Sequence, residues 1–310
     1  MFYPVADAHC DFLYGMVNYR YDIACPTGQQ VTSLENFEKG HVALQFLACL
    51  IDTSLKLSPL HQCMNMIGAF DRMIDAHPDR LVRFSKDFDP LASDKTACQL
   101  TIEGGEAIEG DPTLLEPLHA LGIRAMTLTW NESNELSGAA MQRNRRGLTD
   151  LGYETIHEMN RLGIAIDLAH LSDAGIDDVL SETKQPVFAS HSNARQVFEA
   201  KRSLCDDHIR AIAEGGGVVC VNFYNKQLTD KKVACLSDIV RQITYMVKVA
   251  GIDHVGLGSD FDGMPLYPEG MPNASGYPEL LSMLRAEGMT DADIHKISYL
   301  NLANYMKSFV

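Results

Sequence analysis

Short apolar runs alternate with longer segments of helical periodicity along the whole chain. Most runs are mainly apolar without a strict alternation of polar and apolar positions, which is typical of parallel strands that are buried on both faces. Eight strands are predicted, near Pro4–Ala8, Ala43–Ile51, Cys98–Ile102, Arg124–Leu128, Ile164–Leu168, Val187–Ala189, Val218–Phe223 and His254–Leu257. The clearest predicted helices are Pro59–Ala76, Leu151–Leu162, Asp173–Glu182, Asp206–Glu214 and Leu236–Ala250.

This alternation favours a closed (β/α)8 TIM-type barrel, and a doubly wound open sheet is the alternative. After Asp262 and Gly263 the chain contains a Pro/Gly-rich loop and then helical segments without a strand, so extra C-terminal helices are expected. We see no long linker or internal repeat that would support a second domain. Residues 1–310 are therefore predicted to form a single domain.

Acidic and imidazole side chains follow the predicted strands. In a barrel, functional residues lie at the carboxyl ends of the strands, where they meet at one mouth. His9 and Asp11 follow the first strand two residues apart, so both side chains leave the same face of an extended chain. The ends of later strands bring Glu103, His170, His191 and Asp260. Each residue alone has an ordinary structural explanation, but their matching positions predict a site for two divalent cations.

Two neighbouring cations need a bridging anion, and Glu103 is the candidate because a carboxylate can give one oxygen to each. His9 and Asp11 would complete one site, and His170 and His191 the other. A water shared by the two cations would have a lowered pKa and could act as a nucleophile. The set indicates a metallohydrolase.

Two further residues are candidates for chemistry next to the metals. Asp260 lies in a glycine-rich strand end and could act first as a general base and then as a general acid. Arg202 could form a two-pronged contact with a substrate carboxylate, although an arginine is more often a surface residue. Glu106 and Glu109 compete with Glu103 for the bridging role, but both follow the Gly104-Gly105 turn.

Composition narrows the class of protein. A formal net charge of −15 argues against a nucleic-acid partner, and 46% hydrophobic residues can furnish a large core. The eight cysteines have no paired spacing and are predicted to be reduced core thiols, with Cys10 turned away from the metal site. The longest apolar stretch, Val42 to Ile51, is too short to cross a bilayer, and no signal peptide is predicted before His9. We therefore expect a cytoplasmic protein without a membrane partner.

Seven motifs follow one another along the chain: Asp7-Ala8-His9-Cys10-Asp11, Ile102-Glu103-Gly104-Gly105, Leu128-Thr129-Trp130-Asn131, Ile166-Asp167-Leu168-Ala169-His170, Ser190-His191-Ser192, Val221-Asn222-Phe223-Tyr224-Asn225 and Gly258-Ser259-Asp260-Phe261-Asp262-Gly263. With these motifs in this order, the chain resembles the renal (membrane) dipeptidase family of the amidohydrolase superfamily. The resemblance covers nearly the whole chain.

The resemblance implies two zinc ions per chain and hydrolysis of dipeptides, often with tolerance of a D-residue at the C-terminal position. It implies that Glu103 bridges a zinc bound by His9 and Asp11 and a zinc bound by His170 and His191. It further implies a homodimer and roles for Asp260 in proton transfer, for Arg202 in binding the substrate carboxylate, and for Tyr224 and Asn131 near the substrate.

At one position the chain departs from this pattern. The best-known animal members carry a substrate-binding histidine after the fourth strand, where this chain has Trp130. An indole N–H donates one hydrogen bond but cannot transfer a proton, so the preference among dipeptides is expected to shift. Two alternatives stay open: an amidohydrolase acting on a cyclic amide, a lactone or an N-acyl amino acid, and a noncatalytic metal-binding relative.

Overall fold

The fold is a parallel barrel. The computed structural model describes residues 3–143 and 145–310. Its strands are β1 (Val5–Asp7), β2 (Val42–Leu50), β3 (Leu81–Arg83), β4 (Thr96–Glu103), β5 (Ile123–Thr127), β6 (Ala165–Asp167), β7 (Phe188–Ala189), β8 (Val218–Val221) and β9 (Val255–Leu257). All pairings between these strands are parallel.

The sheet closes on itself, because β2 pairs with β4 as well as with β1, and β9 pairs with β1. The (β/α)8 barrel is thus confirmed, and the doubly wound alternative is wrong. The ninth strand, β3, was absent from the sequence expectation. It pairs with the first residues of β4, Thr96–Cys98, along the edge that β5 occupies from Leu100 onward.

The helices surround the barrel and follow it at the C-terminal end. They are α1 (Phe12–Tyr19), α2 (Leu34–Gly40), α3 (Pro59–Ala76), α4 (Leu115–Ala120), α5 (Asp150–Leu162), α6 (Asp173–Glu182), α7 (Asp206–Glu214), α8 (Asn225–Leu228), α9 (Leu236–Ala250), α10 (Tyr277–Ala286), α11 (Asp291–His295) and α12 (Asn301–Met306). Four of the five predicted helices have the predicted bounds. The fifth, α5, begins one residue earlier, where the Thr149 hydroxyl accepts a hydrogen bond from the Gly152 N–H.

The C-terminal helices cover the end of the barrel at which the strands begin. Side chains of α12 join the same buried cluster as inward-facing strand residues such as Phe46 and Phe188. The Tyr305 hydroxyl donates to the Pro186 carbonyl at 3.0 Å, and the Asn301 amide donates to the Val255 carbonyl at 2.8 Å. These carbonyls lie where β7 and β9 begin. The extra helices therefore cover the end of the barrel at which the strands start, and the carboxyl ends of the strands lie at the opposite end.

The described cysteines are all free thiols, as predicted, but they are not all in the core. Five are buried, whereas Cys25 is exposed and Cys205 and Cys235 are half-buried. Cys10 contacts the Thr32 hydroxyl at 3.2 Å and takes part in none of the ligand clusters described below. No helix in the described ranges has the length and apolar character needed to cross a membrane.

Candidate metal centre

The strand ends bring the predicted ligands together at the mouth of the barrel. Glu103 is the last residue of β4, and the others follow β1, β6, β7 and β9 by two to four positions. All of them are at most 8% exposed, which is unusual for ionisable groups that lack a partner. The buried set is His9, Asp11, Glu103, His170, His191 and Asp260.

Glu103 lies between two groups of ligands. One oxygen, Oε2, is 3.5 Å from the His9 Nε2 atom, which is itself 3.5 Å from the Asp11 Oδ2 atom. The other oxygen, Oε1, is 2.9 Å from His170 Nε2 and 3.5 Å from His191 Nε2. Each oxygen of one carboxylate therefore faces a different set of side chains, as a bridging ligand must.

The potential ligand atoms form three overlapping clusters, each with its atoms within 4.8 Å of one another. One cluster contains His9, Asp11 and Glu103, and a second contains Glu103, His170 and His191. In the third, Asp260 joins His9 and His191. Glu106 and Glu109, the sequence alternatives to Glu103, belong to none of these clusters.

Local backbone conformation also marks this site. His170 and Asp260 both have a φ of +65°, in the left-handed region that costs a side-chain-bearing residue about 1–3 kcal/mol. Such strain persists where the surrounding structure imposes it, often at functional sites. An added Cβ at Gly263 would collide with the carboxylates of Asp11 and Asp260. Only glycine therefore lets the backbone pass this close to the two carboxylates.

Burial disfavours the charged form of the His170 and His191 imidazoles. Burial lowers the pKa of His170 to about 4, with a further contribution from the Arg202 charge. Burial likewise lowers the pKa of His191 well below its ordinary value. The His191 Nδ1 atom is 2.7 Å from the Ser190 hydroxyl, which fits a tautomer whose Nε2 lone pair faces the cluster. Neutral imidazole nitrogens are the form that binds a metal ion.

Two of the acids shift towards the uncharged form, whereas at Glu103 burial is outweighed by His9 and His170, which lower its pKa well below the ordinary value. Burial raises the pKa of Asp11 to about 6 and that of Asp260 to about 7. Burial opposes the charge of His9, but the Glu103 and Asp11 carboxylates outweigh it and raise the His9 pKa. The His9 Nε2 atom is buried without a hydrogen-bond partner. Burying a nitrogen without a hydrogen-bond partner next to crowded carboxylates costs free energy. A divalent cation would bind the nitrogen and neutralise the carboxylates.

Arg202 lies inside the pocket, so its interpretation as a surface residue is wrong. It is only 8% exposed, and its Nη2 atom is 3.8 Å from Asp260 Oδ2. Its Nη1 atom is 3.0 Å from His191 Nε2. With its carboxamide oxygen turned towards the guanidinium, Gln227 accepts from Arg202 Nη2 at 3.1 Å. The guanidinium is therefore oriented by neighbours next to the ligand cluster.

A cavity of about 660 Å³ opens above these residues and includes Asp11, Glu103, His170, Arg202 and Asp260 in its wall. Its volume is in the range of small-molecule sites. The remaining predicted substrate residues also line it, all of them half-buried: Trp130, Asn131 and Tyr224. His9 and His191 lie beneath the wall, in contact with each other through rings 3.9 Å apart.

The profile of the membrane dipeptidase family, peptidase family M19, matches residues 2–309. The chain belongs to this family. It is thus a metal-dependent dipeptidase, a hydrolase with a small peptide substrate.

Individual relatives agree with the assignment. An uncharacterized dipeptidase of Schizosaccharomyces pombe is 33% identical over 299 residues, which cover 89% of this chain and 71% of the relative. The solved metallopeptidase dipeptidase AC superposes with a TM-score of 0.90 at 27% identity, covering 99% of this dipeptidase and 98% of the other chain. A Rhodobacter sphaeroides metallopeptidase, solved with a phosphinate mimic of L-Ala-D-Ala, has a TM-score of 0.90 at 26% identity and 99% coverage of both chains.

Residues to which the sequence analysis assigned no role also surround the dipeptidase site, and one of them, Asn222, is fully buried beside the pocket. Asn222 donates from Nδ2 to Asp260 Oδ2 at 3.1 Å and so orients the carboxylate. Its position directly after β8 was the available signal, because the same strand-end rule identified the ligands. Among the side chains that line the pocket itself, Leu50 is the last residue of β2, so the strand-end rule gave a signal for it. Others come from loops and short helices without such a signal: Tyr14, Tyr19, Met141, Phe198, Lys201, Lys226 and Gln227.

Proposed function

We propose that this dipeptidase is a binuclear zinc enzyme whose two metal ions are bridged by Glu103. The observation that carries the proposal is the division of the Glu103 oxygens, Oε2 towards His9 and Oε1 towards His170 and His191. Imidazole nitrogens with carboxylate oxygens are a ligand set that suits zinc. When bound, the two ions would supply a hydroxide nucleophile near neutral pH and polarise the scissile carbonyl.

Asp260 is the proposed proton-transfer group. Its carboxylate lies within ligand distance of His9 and His191, and in the metal-free protein burial raises its pKa to about 7. A carboxylate beside an attacking water can act as base and then as acid in one reaction. Asp260 would take a proton from the attacking water and return it to the amino group that leaves. Asn222 holds the carboxylate in place through its hydrogen bond of 3.1 Å.

Arg202 is the proposed anchor for the C-terminal carboxylate of the substrate. A guanidinium offers two parallel N–H groups to a carboxylate, and Gln227 supports it from behind. Trp130, Asn131 and Tyr224 would shape the pocket around the two substrate side chains. The phosphinate mimic of L-Ala-D-Ala bound by the Rhodobacter sphaeroides relative supports acceptance of a C-terminal D-residue here.

One set of measurements tests the proposal. The protein is stripped with a chelator, reloaded with zinc, and analysed for metal per chain together with turnover of L-Ala-L-Ala, L-Ala-D-Ala and N-acetyl-L-alanine. We expect two zinc ions per chain, turnover that follows metal content, and hydrolysis of both dipeptides. One metal at full activity would contradict the binuclear centre. Preference for the N-acyl amino acid would favour the alternative substrate class. The predicted homodimer is tested on the same sample by light scattering.

A further inference from the structure

Two buried carboxylates lie directly beneath the ligand cluster, and the proposed reaction does not use them. Asp7 is the last residue of β1 and Asp167 is the last residue of β6. They are 0% and 4% exposed, and neither lines the pocket. In the closed barrel, β1 and β6 lie on opposite sides, with three strands between them in either direction.

Asp7 connects the backbones that carry His9 and Asp260. Its Oδ1 atom accepts hydrogen bonds from the Ser259 N–H at 2.8 Å and from the His9 N–H at 3.3 Å. Its Oδ2 atom accepts from the Ser259 hydroxyl at 2.6 Å and from the Tyr277 hydroxyl at 2.8 Å. One carboxylate therefore fixes the loop after β1 against the loop after β9.

Asp167 does the same for His170 and His191. Its Oδ1 atom accepts from the Ala169 N–H at 3.0 Å and from the Ser190 N–H at 2.9 Å, so it holds the residue before each histidine. Its Oδ2 atom accepts from the Thr127 hydroxyl at 3.0 Å. The Ser190 hydroxyl, in turn, is the group that contacts His191 Nδ1.

The hydrogen-bonding capacity of a carboxylate explains why an aspartate occupies both positions, Asp7 and Asp167. An ionised aspartate offers about four lone-pair positions and no donor, so it can accept from two backbone N–H groups and from hydroxyls at once. Asparagine has the same shape but turns an NH2 group towards some of these donors, which leaves a buried donor unsatisfied. The hydrogen bonds by which the aspartate connects the two loops would then weaken, while the fold is kept.

We infer that Asp7 and Asp167 are positioning residues, each of which orients one half of the metal centre. Asp7 controls the half formed by His9, Asp11 and Asp260, and Asp167 controls the half formed by His170 and His191. This inference rests on the proposed binuclear function. Partners that orient metal ligands through such hydrogen bonds typically change metal affinity about 10- to 100-fold.

The test isolates each half of the centre. His191→Ala leaves the half with His9 and Asp11, and Asp11→Ala leaves the half with the two histidines. Asp7→Asn and Asp167→Asn are each added to both backgrounds, and zinc affinity is measured by competition with a chromophoric chelator. We expect Asp7→Asn to weaken zinc binding about 10- to 100-fold in the His191→Ala background and only slightly in the other. Asp167→Asn should give the reverse pattern.

A matched control separates positioning from general loss of stability. Asp238 is another buried aspartate, 1% exposed, whose Oδ2 atom accepts from the Cys235 N–H at 3.1 Å at the start of α9. Asp238→Asn should lower the melting temperature without changing zinc affinity in either background. If an Asp7 or Asp167 variant does not fold, Ser259→Ala and Ser190→Ala remove one hydroxyl from each network and should give the same pattern at smaller amplitude.

The outcomes distinguish the two hypotheses. Equal effects of both Asn variants in both backgrounds, or no effect in either, would overturn the positioning inference while the binuclear centre stands. If wild-type protein binds fewer than two zinc ions, or if His191→Ala and Asp11→Ala each keep two, the proposed function itself fails.

Discussion

Asp260→Asn should lower kcat by about two to four orders of magnitude while both metals stay bound, since this is the usual range for losing a general acid and base. The substitution changes little in the geometry. The amide oxygen of the new side chain can still accept the Asn222 hydrogen bond of 3.1 Å, so the residue keeps its position. What it loses is basicity near neutral pH, which the raised pKa of about 7 gives to Asp260.

The Asp260→Asn substitution is expected to change both kcat and KM. A reduction of kcat by two to four orders of magnitude corresponds to about 2.7–5.4 kcal/mol of lost transition-state stabilisation. The variant also removes the charge that faces Arg202 at 3.8 Å, an attraction of about 4 kcal/mol before desolvation at an effective dielectric constant of 20. Because Arg202 is proposed to bind the substrate carboxylate, its altered environment should appear in KM, and the missing proton transfer should appear in kcat.

The assay is steady-state hydrolysis of L-Ala-D-Ala with metal analysis of the same preparation. Asp262→Asn is the control, since this neighbouring carboxylate lines the pocket but accepts hydrogen bonds from the Val31 and Thr32 N–H groups. It should lose stability and keep kcat close to wild type. Asp260 also lies within ligand distance of His9 and His191. If metal content falls in parallel with rate in Asp260→Asn, the residue is mainly a ligand, and the proton-transfer assignment is refuted.

Four further outcomes are expected. Arg202→Ala should weaken binding of a dipeptide far more than that of its C-terminal amide; equal losses in KM would exclude the carboxylate contact. His170→Ala and His191→Ala should each lose at least one metal and nearly all turnover, with circular dichroism unchanged, and full metal occupancy would count against them as ligands. Trp130→His should preserve metal content and change the ranking of dipeptides, whereas a uniform rise in kcat would show that a missing oxyanion donor limits the rate. In metal-free protein, Asp260 should contribute a fall in the free energy of unfolding as pH rises from 3.8 towards about 7, because the folded chain retains a proton on Asp260 that the unfolded chain releases, whereas the lowered pKa of His170 acts in the opposite direction. Chemical denaturation across this range should therefore show that stability falls less, or rises more, with pH in Asp260→Asn than in the wild type, and equal slopes would assign the effect elsewhere.

The barrel and the clustering of the candidate ligands at its mouth could be predicted because both depend on one simple pattern. Strands that are buried on both faces give predominantly apolar runs whose ends are visible in the sequence, as in β2, where Gln45 is the only polar residue. Parallel closure then brings all carboxyl ends to one mouth. Glu103 and His191 were identified in this way, although they are far apart in the chain and 3.5 Å apart in space.

Other features could not be predicted because they depend on contacts between loops. Arg202 lies beyond a strand end by more than ten residues, and only the folded loop shows that it is buried. The left-handed conformation of His170 and Asp260 is imposed by their surroundings, because Asp and His adopt it more often than most residues but only in a minority of cases. β3 has only three residues, of which Arg83 is exposed, so it lacks the apolar run that marks the other strands.

Trp130 differs from the proposed ligands in burial and not in its distance from a strand end, because it follows β5 by three residues just as His170 follows β6. The proposed ligands are buried at the strand ends, and Asp7 and Asp167 hold their backbones from below, whereas Trp130 is half-buried in the pocket wall. A change in the wall can therefore alter which dipeptide side chains fit without moving a ligand. An imidazole introduced at that position would still need neighbours that aim it at the oxyanion, and a loop that accommodates a large indole does not supply them. For this reason we expect Trp130 to determine substrate preference rather than the rate common to all dipeptides.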